Sequence, residues 1–302
     1  MFENSKYTNS QKWSTYDNLI VRNCQFISCL SQTNCGGGFF CSKSISTLLL
    51  FGSLFFRCSS LVSQPVGYRL ASGGAFAFDG TKSYVSTCCV SNCNGPDTAF
   101  GFILTCTSYI EFNKTQCVQN GRIESSCFLF FLDCGTQIAD SLNNTYNKCQ
   151  GQSSSGCIGH GSPKATMQFS QVMNSYGAQS SFYLTGGNTD VSQSNFVNIQ
   201  PTYSIFDAYT TTNTVKGCIF VNCIDRILHD VATSLSLYNC VSTGAFVGPI
   251  NLISCTSYSP NINTYNYIQV SGCLLYFSPS MKMDFQHNIP ISFILFLVNS
   301  LA

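Results

Sequence analysis

Charge is the scarcest commodity in this 302-residue chain. Only 9% of its residues are charged, against roughly 25% in an average soluble domain. The formal net charge is +1 and no run of Lys or Arg occurs, which excludes the electrostatic footprint of nucleic-acid binding or attachment to an anionic lipid surface. Helix-forming Ala, Glu, Lys and Leu are few, and no segment of ten to fifteen residues shows a helical period. The start, MFENSKYTNSQKW, has neither a basic region nor an apolar core of a signal peptide. No repeated C-x2-C pair accompanies the three histidines, His160, His229 and His287, so a structural zinc site is not expected. No other cofactor is implied.

What fills the chain is apolar and polar-uncharged. Hydrophobic residues make up 44% and aromatics 14%, with 25 Phe, 15 Tyr and 23 Gly. Phe, Tyr, Val, Ile and Thr favour strands, and Ser, Asn and Gly favour turns. The class expected is all-β. Nineteen cysteines read as disulfides of an exported protein or as small buried thiols. Two glycosylation sequons, at Asn113 and Asn143, agree with export.

An internal repeat decides the architecture. An apolar residue, four others, a bulky residue, two others and often Cys recur along the chain. The bulky centres are Phe26, Phe55, Val90, Cys117, Tyr146, Val172, Phe196, Phe220 and Cys240. They lie 20 to 35 residues apart, about 27 on average, the length of one solenoid coil. Five positions upstream stand Val21, Leu50, Val85, Phe112, Ser141, Met167, Val191, Val215 and Leu235, eight of the nine apolar. Three downstream, Cys29, Cys58, Cys93, Cys149 and Cys223 form an expected thiol ladder. Two downstream, Asn92, Asn174, Asn198 and Asn222 recur, as left-handed corners with stacked amides would require. A second strand opened by a small residue follows most repeats, as in Gly73-Gly74-Ala75-Phe76. A lone unit cannot bury its apolar face; stacked units can. The pattern predicts a single-stranded right-handed parallel β-helix of about nine to ten turns over residues 18–275. A partial N-terminal turn or cap occupies 1–17. A C-terminal cap or truncated membrane anchor occupies 276–302, where Ile289–Ala302 is apolar and uncharged but short of the ~20 residues of a span.

The signatures Phe26–Cys29, Phe55–Cys58, Phe220–Cys223 and Gly73-Gly74-Ala75-Phe76 resemble the repeats of polymorphic outer-membrane proteins and of related protozoan surface β-helix proteins. The resemblance implies surface display, with adhesion or host contact as the role. The chain departs from the bacterial pattern: Cys mostly replaces the Asn of Phe-x-x-Asn, and no translocator barrel follows.

Catalytic residues are sparse. Gly159-His160-Gly161 and Asn188-Thr189-Asp190 resemble elements of polygalacturonases, but in inverted order and without an Asp-Asp pair. A turn is the plainer reading of His160, and Asp190 lacks an evident carboxylate partner. Asp225, His229 and Asp230 form the densest polar group, most simply a solvated turn. The chain is therefore expected to be a non-enzymatic, secreted or cell-surface protein that meets a protein or glycan through the solenoid side. A carbohydrate-active β-helix enzyme and a structural spacer are the alternatives. Contacts are expected first at the long turns Ser59–Ser72 and Asn94–Thr98.

Overall fold

A computed structural model describes residues 1–13, 17–33, 35–41, 46–61, 73–95, 99–121, 128–149, 153–177, 180–200, 204–209, 212–223, 226–227, 234–260 and 262–266. Every described strand pairs in parallel with its partner in a neighbouring coil, and no helix occurs among the described residues. The chain is a parallel β-solenoid, the class expected from the repeat.

Each coil has three faces. The first runs through Gln11–Trp13, Phe39–Cys41, Phe128–Asp133 and Ser204–Tyr209. The second includes Asn18–Arg22, Thr47–Phe51, Thr136–Asp140, Thr212–Lys216 and Ser234–Tyr238. Four long strands, Phe76–Ser86, Ala99–Asn113, Ser153–Gln168 and Ser180–Ser192, bend through both, joining the two faces into one 15-stranded sheet. The third face is a separate ten-stranded sheet of short strands such as Gln25–Ile27, Leu54–Phe56, Cys89–Ser91 and Asn195–Val197. Phe2–Glu3, Lys6–Tyr7 and Gln11–Trp13 pair in register with the coil that follows, so the start of the chain is a solenoid coil.

Two corners bound the third face, and each demands a left-handed residue. At the entry corner φ is positive at Asn4, Asn23, Gly52, Thr87, Lys114, Ser141, Phe169, Gln193, Gly217, Asn239 and Ser254. At the exit corner it is positive at Ser28, Arg57, Asn92, Gln119, Tyr146, Asn174, Asn198 and Asn222. The four asparagines expected at a left-handed corner are all there, and Asn198 Nδ2 donates to Asn174 Oδ1 at 2.9 Å across one coil.

Register fixes the columns. The central one is Tyr7, Phe26, Phe55, Val90, Cys117, Asn144, Val172, Phe196, Phe220 and Ser242. Seven of the nine expected centres are in it. Tyr146 and Cys240 are not: each is displaced by two residues. Tyr146 is the exposed exit corner, and buried Asn144 holds the centre. With the register corrected, Ala139 and Leu237 replace Ser141 and Leu235 upstream, and the whole upstream column is apolar. Aromatic rings stack within the central column, Phe26 on Phe55 at 4.8 Å and Phe196 on Phe220 at 5.0 Å. A parallel stack of Phe39, Phe76, Phe102 and Phe130 lines the first face. Offset stacking adds about 0.5–1.5 kcal/mol per pair to the burial of the rings.

Candidate functional site

The thiol ladder is structural. Cys29, Cys58, Cys93 and Cys223 lie three residues past the centre, and each S–H reaches the carbonyl of the central residue one coil back: Tyr7 (3.4 Å), Phe26 (3.3 Å), Phe55 (3.6 Å) and Phe196 (3.1 Å). Asn120 and Asn147 do the same, donating from Nδ2 to Val90 O (2.8 Å) and Cys117 O (3.0 Å). Cys and Asn replace one another in this column because both place a donor under the same carbonyl. Cys149, expected in the ladder, lies two residues beyond it, paired with Gly177; Asn147 occupies its place.

A second thiol column escaped the sequence reading. Two residues before the centre stand Cys24, Cys88, Cys218, Cys240 and Cys255, interspersed with Ser53, Thr115, Leu142, Ser170 and Ser194. Its signal, a small residue directly after the left-handed entry corner, is visible only once register is known. All of these cysteines are free thiols, whereas Cys89, on the exterior, is disulfide-bonded. Burial pushes the thiols of Cys88 and Cys223 up to about 12; Cys106 is pushed up to about 12 in the same way, with Asp79 and Asp133 adding to it. They stay protonated and unreactive at neutral pH.

The exterior is unevenly covered. On the third face Leu54, Cys89, Gln116, Asn143, Asn195 and Ile219 point outward yet are buried. Tyr265 is part of that cover: its backbone N–H and C=O bond the Asn195 amide at 3.1 and 2.8 Å. The sequon residue Asn143 is only 5% exposed, so the folded chain offers no room for a glycan there. Asn113, the other sequon residue, is half-buried and donates to Glu111 at 2.8 Å.

On the second face the outward side chains stay open from coil to coil. Outward positions fall into three columns set by the register. One runs Ile20, Leu49, Tyr84, Glu111, Ile138, Thr166, Asp190, Thr214 and Ser236. Its neighbours hold Phe51, Asn113, Asp140, Gln168, Lys216 and Tyr238 on one side and Lys82, Tyr109, Thr136, Lys164 and Asn188 on the other. None of these side chains is buried. Tyr84 and Tyr109 rings lie 5.5 Å apart, and Tyr109 donates to Glu111 at 3.1 Å. Asp190 belongs to this face, accepting from Thr214 and 4.0 Å from Lys216. It is a surface partner to those groups, and its register neighbours on the adjacent coils are Thr166 and Thr214.

His160 has richer surroundings than a turn. Asp79, Thr105, Asp133 and His160 share one register column on four successive coils of the first face. Asp133, 3% exposed, holds His160 Nδ1 at 2.7 Å and also accepts from Cys134 Sγ at 3.3 Å. The imidazole is half-buried against the Phe131 ring, 5.0 Å away. Cys134 and Gly135 both adopt positive φ, and a Cβ on Gly135 would meet the Ser108 and Cys106 backbone within 2.8 Å. A one-residue register shift between the Phe131–Cys157 and Asp133–His160 partners sets His160 opposite Asp133. Asp225, His229, Asp230 and the tract Ile289–Ala302 lie outside the described residues, as do most of Ser59–Ser72 and residues 96–98 of Asn94–Thr98. Among the described residues, no cluster of His, Cys, Asp and Glu fits a metal ion, and no helix is long and apolar enough to cross a membrane.

Fold and exterior together define a parallel β-solenoid whose second face is open among the described residues. Comparison with known proteins adds nothing to this: no family model, no curated protein and no solved structure matches the chain.

Proposed function

We propose that the chain is a non-enzymatic binding solenoid, secreted or displayed at the cell surface, that takes a neutral glycan along its second face. The carrying observation is the openness of that face: its outward columns are accessible over successive coils, while about half of the outward residues of the third face and several of the first are buried. The chemistry suits sugars. Phenol rings offer an apolar body with a polar tip, and Thr, Ser, Asn and Gln supply donors and acceptors between them. Charges of both signs are mixed along it, so there is no field to hold a polyanion. The disulfide at Cys89 supports an oxidising location, and the resemblance to surface β-helix repeats points the same way. Affinity electrophoresis through gels containing neutral polysaccharides tests this. Retardation by at least one, weakened about tenfold in a Tyr84→Ser/Tyr109→Ser double variant, is expected from the loss of two aromatic contacts. Retardation that the double variant keeps in full would place binding elsewhere.

A second reading rests on the Asp79–Thr105–Asp133–His160 column. Asp79 and Asp133 stand two coils apart, about 9.6 Å at the strand spacing. That backbone spacing is just above the 6.5–9.5 Å range of carboxyl separation in inverting glycoside hydrolases. With His160 as a proton carrier, the column would serve a carbohydrate-active enzyme. Release of reducing ends from a polysaccharide panel, abolished by His160→Asn, would favour it over the binding reading.

A further inference from the structure

Cys218, Cys240 and Cys255 occupy one position of three successive coils. Ile219 pairs with Val241 and Val241 with Thr256, so each thiol sits directly above the next. Backbone bonds Val241 N to Cys218 O (3.0 Å) and Thr256 N to Cys240 O (2.9 Å) hold the stack. Cys240 N–H points at Cys255 Sγ, 3.5 Å away. Neighbours at one strand spacing, about 4.8 Å, fall within the Cα separation that a disulfide tolerates.

The two ends of this triplet differ. Cys218 and Cys240 are fully buried. Cys255 is half-buried, beside Leu252 and Ile253, which are 44% and 38% exposed. Among the described residues, no strand pairs with the far side of Ile250–Ile253, so this coil can adjust by the few tenths of an ångström that a disulfide asks, whereas a thiol held between two coils cannot. An oxidant therefore meets Cys255 first. We infer that Cys240 and Cys255 form a redox modification site, closed to a disulfide by a low-molecular-weight disulfide such as oxidised glutathione. In the other column Cys29, Cys58 and Cys93 are buried and remain thiols, and half-buried Cys223 has Ile199, not a cysteine, at the same position one coil back.

The chemistry balances in two exchanges. The Cys255 thiolate attacks one glutathione sulfur, forming a mixed disulfide and releasing one glutathione thiolate, which takes up the Cys255 proton. The Cys240 thiolate then attacks the Cys255 sulfur, closing the protein disulfide and expelling the second glutathione thiolate, which takes up the Cys240 proton. Two protein thiols are oxidised and one glutathione disulfide is reduced to two glutathione thiols. Cys240 is suited to the second attack, because a hydrogen bond from the Cys218 thiol holds its own thiol below the usual value.

The full chain is treated with oxidised glutathione, trapped with a maleimide, cut with chymotrypsin and mapped by mass spectrometry. A Cys240–Cys255 link, two hydrogens lighter than the reduced pair, is the expected product. Cys240→Ser should stop at a glutathione adduct on Cys255, and Cys255→Ser should leave Cys218 and Cys240 as maleimide adducts. A link between Cys218 and Cys240, a link from Cys255 to any other cysteine, or a maleimide-labelled Cys255 after treatment overturns the assignment.

Discussion

Asn144 stands where neighbouring coils place Cys117 and Val172, fully buried, and neither its Oδ1 nor its Nδ2 finds a protein partner. Burying an amide unpaired costs about 1–3 kcal/mol. Asn144→Val keeps the volume close and removes both polar atoms, so it should raise stability by an amount in that range in urea denaturation. The entry corner offers a second such position. Phe169 holds φ +49° there, a conformation that costs an L-residue about 1–2 kcal/mol. Phe169→Gly should recover roughly 1 kcal/mol, even after the extra entropy of glycine in the unfolded chain. Gly156 behaves the opposite way. A Cβ there would lie 2.5 Å from the buried Phe130 ring, so Gly156→Ala should lose about 1–3 kcal/mol to overpacking. The thiols add a pH signature. Those of Cys88, Cys106 and Cys223 rise to about 12 from a usual 9.0, so the folded state holds protons that the unfolded chain has released. Stability is full below about pH 9 and should fall as pH climbs from 9 towards 12, which melting curves across that window will show.

The coil is the element that carries the fold, and its register is where sequence reading succeeded and failed. Apolar, bulky and small residues at fixed offsets sufficed to find the solenoid and seven of its centres. The two errors have a common cause. In the stretch from Ala139 to Cys149, a bulky Tyr three residues before a Cys imitates the motif, yet Tyr146 is an outward corner and the core accepts Asn144 and Asn147. At Cys240 the imitation comes from the second thiol column. Both slips are of two residues, and only pairing across coils reveals them. The Asp133–His160 contact was equally hidden, because 27 residues separate the partners and their meeting depends on a bulge. The Asn column gives this scale its own test. Asn120 donates to Val90 O, and its backbone N–H and amide both bond Asn147 Oδ1, at 2.9 and 3.2 Å. Asn147→Leu should therefore cost about 2 kcal/mol by leaving those groups unpaired, whereas Asn147→Cys, which restores a donor under Cys117 O, should cost less.

At the scale of the whole molecule the faces are unequal, and the inequality carries the functional reading. Composition announced a surface poor in charge and rich in Ser, Thr and Asn. It could not say which side of the solenoid stays open, because cover over the third face comes from segments distant in sequence, such as Tyr265 on Asn195. Hydroxyl-radical footprinting with and without a saturating neutral polysaccharide puts the claim to its most direct test. Tyr84, Tyr109 and Tyr238, on the second face, should lose most of their oxidation on binding. Tyr146, Tyr176 and Tyr258, which are exposed elsewhere, should keep theirs. Protection of the latter three with the former unchanged would contradict the account.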